Sequence, residues 1–160
     1  MTLPIACAPQ LPTMRAEAVD KVRSLEAELR EQEQVPITTT HHFHAGLYSR
    51  TVCIPKGVII TGVLIRIPTL LVISGHASVF TGEGTVEVCG YHIVPAGAGR
   101  KQVFYAHEDT HLTMTFATKA QTVEEAEAEF TLESHLLMSK QCGENTINTG
   151  ETICPDSQRQ

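Results

Sequence analysis

The segment HHFHAGLYSR, residues 41–50, places three histidines in four positions. His42 and His44 stand two apart, so in an extended chain they share one face and His41 takes the other. Two neutral imidazoles can begin a zinc, nickel or copper site, but a third ligand is required. His76, His92 and His111 are the remaining sources of one, if the fold brings them close. The competing reading is a polar strand edge whose imidazoles bond to backbone or solvent. That reading is preferred: His42 and His44 stay as the only metal candidates, and no cofactor is expected.

A second cluster, YAHEDTH at 105–111, is the richest polar run in the chain. His107, Glu108 and Asp109 suit acid–base work, since imidazole titrates near neutrality and a carboxylate can orient it. No GxSxG context is present and no cysteine lies beside a histidine, so a recognisable nucleophile is missing. The preferred alternative is a loop in which Glu108 and Asp109 take backbone amides or pair with Arg50 or Arg100. Arg50 and Arg66 fall in expected strands, where an arginine must reach a carboxylate, an interface or an anion. Tyr48 and Tyr105 offer stacking surface or core filling. Tyr48, Arg50, Arg66, Arg100, Tyr105, His107, Glu108 and Asp109 are therefore candidates for ligand or interface contact, and none is assigned a catalytic role. GAGR at 97–100 looks like a phosphate cradle but lacks the Lys-Ser/Thr and the helix start that make one work.

The elements that must position these residues follow from periodicity. Residues 1–12 carry three prolines and no period, and are read as an arm. Thr13 is the expected cap of a helix over 13–34, in which Ala18, Val22, Leu25 and Leu29 form one apolar stripe. Two heptads are too few for a coiled coil, so the stripe should pack on the chain's own sheet. Val, Ile and Thr dominate 35–118, with glycines at turn spacing. Strands are expected at 35–40, 47–54, 58–66, 69–74, 76–81, 85–89, 91–94, 102–106 and 110–117, with a hairpin at TGEGT, 81–85. TVEE at 122–125 is a capping box opening a helix over 122–138. Residues 139–160 are polar, with Gly and Pro, and read as a tail.

Composition bounds the rest. At 160 residues and 42 % apolar content the chain suits one domain with its own core, built of aliphatic side chains because Trp is absent. The net charge of −6, with no basic stripe, argues against nucleic acid as a partner. The apolar run near 58–73 is interrupted by Arg, Pro and Thr, and no membrane span is expected. The first fifteen residues lack the basic start of a signal peptide. Five cysteines with no CxxC pair argue against a zinc knuckle. Cys53 and Cys89 are read as small buried hydrophobes, and Cys142 and Cys154 as thiols able to pair under oxidation.

The motifs HHF, GLYSR, IPKGVIITG, LLVISG, VPAGAGR and YAHEDT together resemble the cupin-like proteins of tailed bacteriophages, over roughly residues 16–135. The resemblance implies an all-β fold: a small cupin-type jelly-roll barrel flanked by an N-terminal and a C-terminal helix. It also implies where metal ligands would stand. Counting the first cupin motif from Gly57 lands on Val63 and Ile65; the phage group's histidines correspond to Ile65 and Thr69, and later ones to Arg100 and Phe116. Such side chains do not bind a divalent ion. The resemblance itself implies little about activity; the loss of those ligands and the two flanking arms lead to the expectation of a non-catalytic, homo-oligomeric interaction or assembly module, in the virion or the cytoplasm of the infected host, with other virion proteins as partners. The alternatives are a soluble protein sequestering a small ligand, or a metal-dependent cupin enzyme of isomerase, dioxygenase or sugar-modifying type, built on His42 and His44 or on acid–base work by His107 and Glu108.

Overall fold

A computed structural model describes residues 10–141 and 145–148. Among the described residues are eight strands: β1 (Thr39–His44), β2 (Leu47–Ile54), β3 (Ile59–Thr61), β4 (Thr69–Phe80), β5 (Thr85–Ala96), β6 (Val103–Ala106), β7 (Thr110–Ala117) and β8 (Asn145–Asn148). Helix α1 (Ala16–Arg30) precedes them, and α2 (Val123–Phe130), a 3₁₀ turn (Ser134–Leu136) and the single turn α3 (Met138–Gln141) lie between β7 and β8. The all-β class expected from the sequence is the class observed.

The strands join in the order β3-β6-β4-β7-β2-β1-β8, and β5 pairs with β4 alone. Along one flank of β4, residues 70–74 pair with β7 and residues 77–80 with β6. The sheet therefore forks at Gly75 and curls into a half-barrel. Gly75 has φ +143°, and a Cβ there would come within 2.8 Å of the Asp109 carbonyl oxygen and Thr110 Cα. Only a residue without a side chain lets the β6–β7 loop enter the fork. Gly75 pairs with Gly90, so two glycines that read as strand breaks instead bend one continuous hairpin of two twelve-residue strands.

Alternation fixes which residues face inward. Tyr48, Ile54, Leu71, Ile73, Val79, Phe104, Ala106, Met114 and Phe116 fill the barrel. Helix α2 closes it with Ala126 and Phe130, and the Phe130 ring lies 6.0 Å from that of Phe116. The capping box forms at Thr122, whose hydroxyl accepts from the Glu125 amide at 3.2 Å, while the Glu125 carboxylate takes the Gln121 amide at 2.7 Å. The helix stops at Phe130, well before 138, since Arg66 caps its end: Nε and Nη2 donate to the carbonyls of Glu129 (3.0 Å) and Ala128 (2.6 Å).

Helix α1 packs Ala18, Val19, Val22 and Leu25 on Phe80 and Val103, as its stripe implied. It begins later than expected. Arg15 is the capping residue, and the Thr13 hydroxyl instead donates to the Ala98 carbonyl at 2.6 Å. The arm's last residues are held by the VPAGAG turn: the Leu11 amide donates to Pro95 and the Gly97 amide to Leu11. Lys101 is fully buried beneath α1, its ammonium 2.9 Å from the Gly62 carbonyl and 3.1 Å from the Glu26 carboxylate.

Three further expectations change. Residues 139–148 were read as tail, yet Ser139 is buried and β8 runs parallel to β1. Cys89 is exposed and Cys53 only partly covered, because both point to the outer face of the sheet. Cys7, Cys142 and Cys154 lie outside the described residues.

Candidate functional site

The opening histidines resolve by parity. Ala45 and Gly46, with φ 51° and 73°, turn β1 into β2. His41 faces the core and is fully buried, whereas His42 and His44 are exposed on the outer face. β1 is no edge, being flanked by β2 and β8. His41 bonds to neither backbone nor solvent: Nδ1 lies 2.8 Å from the Tyr48 hydroxyl and Nε2 2.8 Å from Asn145 Oδ1. Asn145 Nδ2 donates to the Ser139 carbonyl at 2.7 Å, which orients the amide and leaves Oδ1 for the imidazole. So His41 donates through Nε2 and accepts the tyrosine proton at Nδ1. Burial holds its pKa below the ordinary value despite the Asn145 bond, and the same burial pushes the Tyr48 phenol to about 12.

Arg50 continues this buried network. It donates to Glu127 Oε1 at 3.2 Å and to Ser139 Oγ at 3.1 Å, and Lys140 lies 2.8 Å from Glu127 Oε2. The expected pairing of Arg50 or Arg100 with Glu108 or Asp109 does not occur. Those loop carboxylates sit at the far end of the barrel, where Asp109 accepts the Lys56 amide at 2.8 Å.

Arg100 occupies the barrel interior. Only 2 % of it is exposed, and its guanidinium donates to the carbonyls of Gly97 and Ile67, to the Thr69 hydroxyl at 2.6 Å and, distantly, to Met114 sulfur. All these partners are neutral, and desolvation alone lowers its pKa to about 10. Arg100, Gln102 and Arg50 line a cavity of about 140 Å³ whose other walls are aliphatic and aromatic, among them Val63, Ile65, Leu71 and Phe104. Gln102 is 6 % exposed and its side-chain Nε2 has no partner. The positions at which the sequence resemblance would place metal ligands hold Val63, Ile65, Thr69, Arg100 and Phe116, a set that offers one hydroxyl and one cation and does not fit a divalent ion. Among the described residues no group of three or more His, Cys, Asp or Glu is placed to hold one.

The outer face carries a second cluster. Ser78 Oγ lies 2.7 Å from His107 Nε2, the His107 ring lies 4.5 Å from that of His76 and tilted to it by 36°, and His76 hydrogen-bonds Glu87. Tyr105 packs its edge on His107. Ser78 and His107 form a hydroxyl–imidazole pair, but the strand around Ser78 is committed to ladders with β5 and β6, leaving no converging amides for an oxyanion.

Of the eight sequence-level candidates, the structure brings Arg50 and Arg100 to one cavity and Tyr105 and His107 to one cluster. Tyr48 is core, Arg66 caps α2, and Glu108 and Asp109 stand in the loop at the fork. Gln102 and Ser78 were missed. Alternation carried a signal for the first: Arg100, Gln102, Phe104 and Ala106 share one parity.

No family model matches the chain, and no curated protein does. Solved structures with a related shape include a cupin-2 domain protein from Rhodospirillum rubrum (15 % identity, TM-score 0.45, covering 57 % of this chain and 68 % of that one). A cupin superfamily protein from Desulfitobacterium hafniense has 9 % identity and a TM-score of 0.45, over 58 % of this chain and 87 % of that one. Salicylate 1,2-dioxygenase from Pseudaminobacter salicylatoxidans has 11 % identity and a TM-score of 0.46, covering 81 % of this chain but 42 % of the enzyme. At these scores the fold class rests on the strand order and register described above. No helix among the described residues is long and apolar enough to cross a membrane.

Proposed function

We infer that the chain is a non-catalytic, cupin-type scaffold that works by association. It joins copies of itself and, following the sequence resemblance, other virion proteins of a tailed phage, in the particle or in the host cytoplasm. One observation carries this reading: the outer face of the sheet, from β5 across β4, β7 and β2 to β1. Its outward residues are Tyr91, Ile93, Leu70, Val72, then a ladder of hydroxyls in which Ser49 bonds Thr115 and Thr51 bonds Thr113, each at 2.7 Å. Tyr91 is 68 % exposed and Ile93 50 %.

No Asp, Glu, Lys or Arg faces out on residues 91–95 of β5, 70–74 of β4 and the paired lengths of β7, β2 and β1; the outward Glu87 lies on the other side of the Gly75–Gly90 bend. Copies carrying −6 each repel one another elsewhere. An uncharged face with an apolar centre and a hydroxyl border is where they approach at least cost. The far edge of β5 has no strand partner among the described residues, which adds open backbone groups beside the apolar patch.

The test is Ile93→Glu, examined by analytical ultracentrifugation. The wild-type chain should sediment as an oligomer and the variant as a monomer, with thermal stability little changed because Ile93 is half-exposed. An oligomer that survives the substitution moves the interface elsewhere. Mass spectrometry of purified particles tests the phage assignment, with absence of the chain counting against a virion role.

A further inference from the structure

The barrel interior holds a charge that the scaffold reading leaves unused. A buried guanidinium without a carboxylate costs several kcal/mol of desolvation by the usual scale for an ion in a protein interior. Arg100 bears that cost with neutral partners only. Arg50, beside it, is neutralised by Glu127, and Lys140 adds a further positive charge to that carboxylate. The balance around the cavity is therefore positive.

A second observation, independent of charge, points the same way. Gln102, at 6 % exposure, lines the same cavity, and its buried Nε2–H₂ group has no hydrogen-bond partner. An orphan amide donor in an apolar interior is destabilising unless something accepts from it. Apart from Thr61 and Gly62 the remaining walls are hydrocarbon, and the volume of about 140 Å³ is close to that of engineered apolar cavities that take benzene. Ile37, Ile60, Thr61, Leu136 and Met138 line both this cavity and a more polar cleft of about 230 Å³ beside α1, so these side chains stand between the two.

The geometry points to a binding site for a small apolar monocarboxylate: one carboxylate oxygen accepts from Gln102 Nε2, the other faces the Arg100 guanidinium, and a hydrocarbon body of about benzene size fills the space against Val63, Ile65, Leu71 and Phe104. The carboxylate supplies the missing counter-ion and the missing acceptor together. A water can take the amide proton but brings no charge, and a cation is repelled.

The experiment is calorimetric or ligand-observed NMR titration of the full chain with isovalerate and benzoate, each matched against its uncharged amide. The acids should bind at least about tenfold more tightly than isovaleramide and benzamide, and more tightly than acetate or inorganic phosphate, which lack the apolar body. Gln102→Leu should weaken the acids by about tenfold while keeping or raising thermal stability, since it removes an unsatisfied donor. Arg100→Met should abolish acid binding. If Arg100→Met does not fold, because Arg100 also ties residues 97–100 to Thr69, Gln102→Leu decides alone. Equal affinity for acid and amide, acetate or phosphate as strong as isovalerate, unchanged binding in Gln102→Leu, or no acid binding at about 10 mM would each overturn the assignment.

Discussion

His41 sits between a tyrosine hydroxyl and an asparagine oxygen, in a place where an imidazolium would meet one acceptor and the Arg50 cation. Its neutral form is the one the fold stabilises. The folded pKa lies below the ordinary 6.5, so the unfolded chain takes up a proton first as pH falls. Stability contributed by this residue is complete above 6.5 and declines below it, through the window down to the depressed folded value. Denaturant titrations at pH 8 and pH 5.5 should show this loss, and His41→Gln should flatten the dependence; an unchanged slope would mean the ring is not neutral in the fold. The three-histidine run was legible as alternation, and the outward placement of His42 and His44 follows from it. That His41 is a buried partner of Tyr48 was not legible, because Asn145, which fixes its tautomer, is far along the chain in a stretch that reads as tail. Arg100 is a similar case, since its partner Thr69 stands 31 residues away.

At the level of elements, the hairpin β4–β5 depends on the fork at Gly75. A methyl group there meets backbone of the β6–β7 loop and requires a backbone angle that alanine disfavours. Gly75→Ala should lose about 2–4 kcal/mol in equilibrium unfolding, the sum of strain and overpacking; a loss under about 0.5 kcal/mol would show that the loop yields freely. The capping box is a smaller, local device, and Thr122→Ala should cost about 1 kcal/mol by the same measurement. Strands β2, β6 and β7 were readable within a residue because apolar and polar positions alternate between clear turns. β4 and β5 were each divided in two, since an isolated glycine reads as a break until its partner across the hairpin is known. The stretch 62–66 keeps strand composition but forms only a bridge between Ile65 and Arg100, the neighbouring ladder being occupied elsewhere. β8 has no strand signature of its own and exists by pairing with β1.

For the whole molecule, an acid-sensitive lock at Glu133 holds helix α1 to the barrel. Glu133 receives the Leu64 amide at 2.9 Å, Arg23 at 3.1 Å and Lys101 at 3.5 Å. Burial alone would raise its pKa, yet the Leu64 bond and the two cations hold it below the usual 4.5. Its contribution is present above 4.5 and is lost as pH falls through the depressed value, so acid should release this contact only below 4.5, whereas the loss at His41 begins at 6.5. The proposed association runs through the part of the face around Tyr91, Ile93, Leu70 and Val72, which holds no carboxylate or ammonium, and should be insensitive to salt where a charged interface would weaken. The most direct measurement is the native mass of the wild-type chain as it is diluted from tens of micromolar, at low and at high salt. The expected result is a multiple of the monomer mass that persists in high salt and falls to the monomer only on dilution. A monomer mass at every concentration, or an oligomer that salt dissolves, would contradict association through the uncharged face.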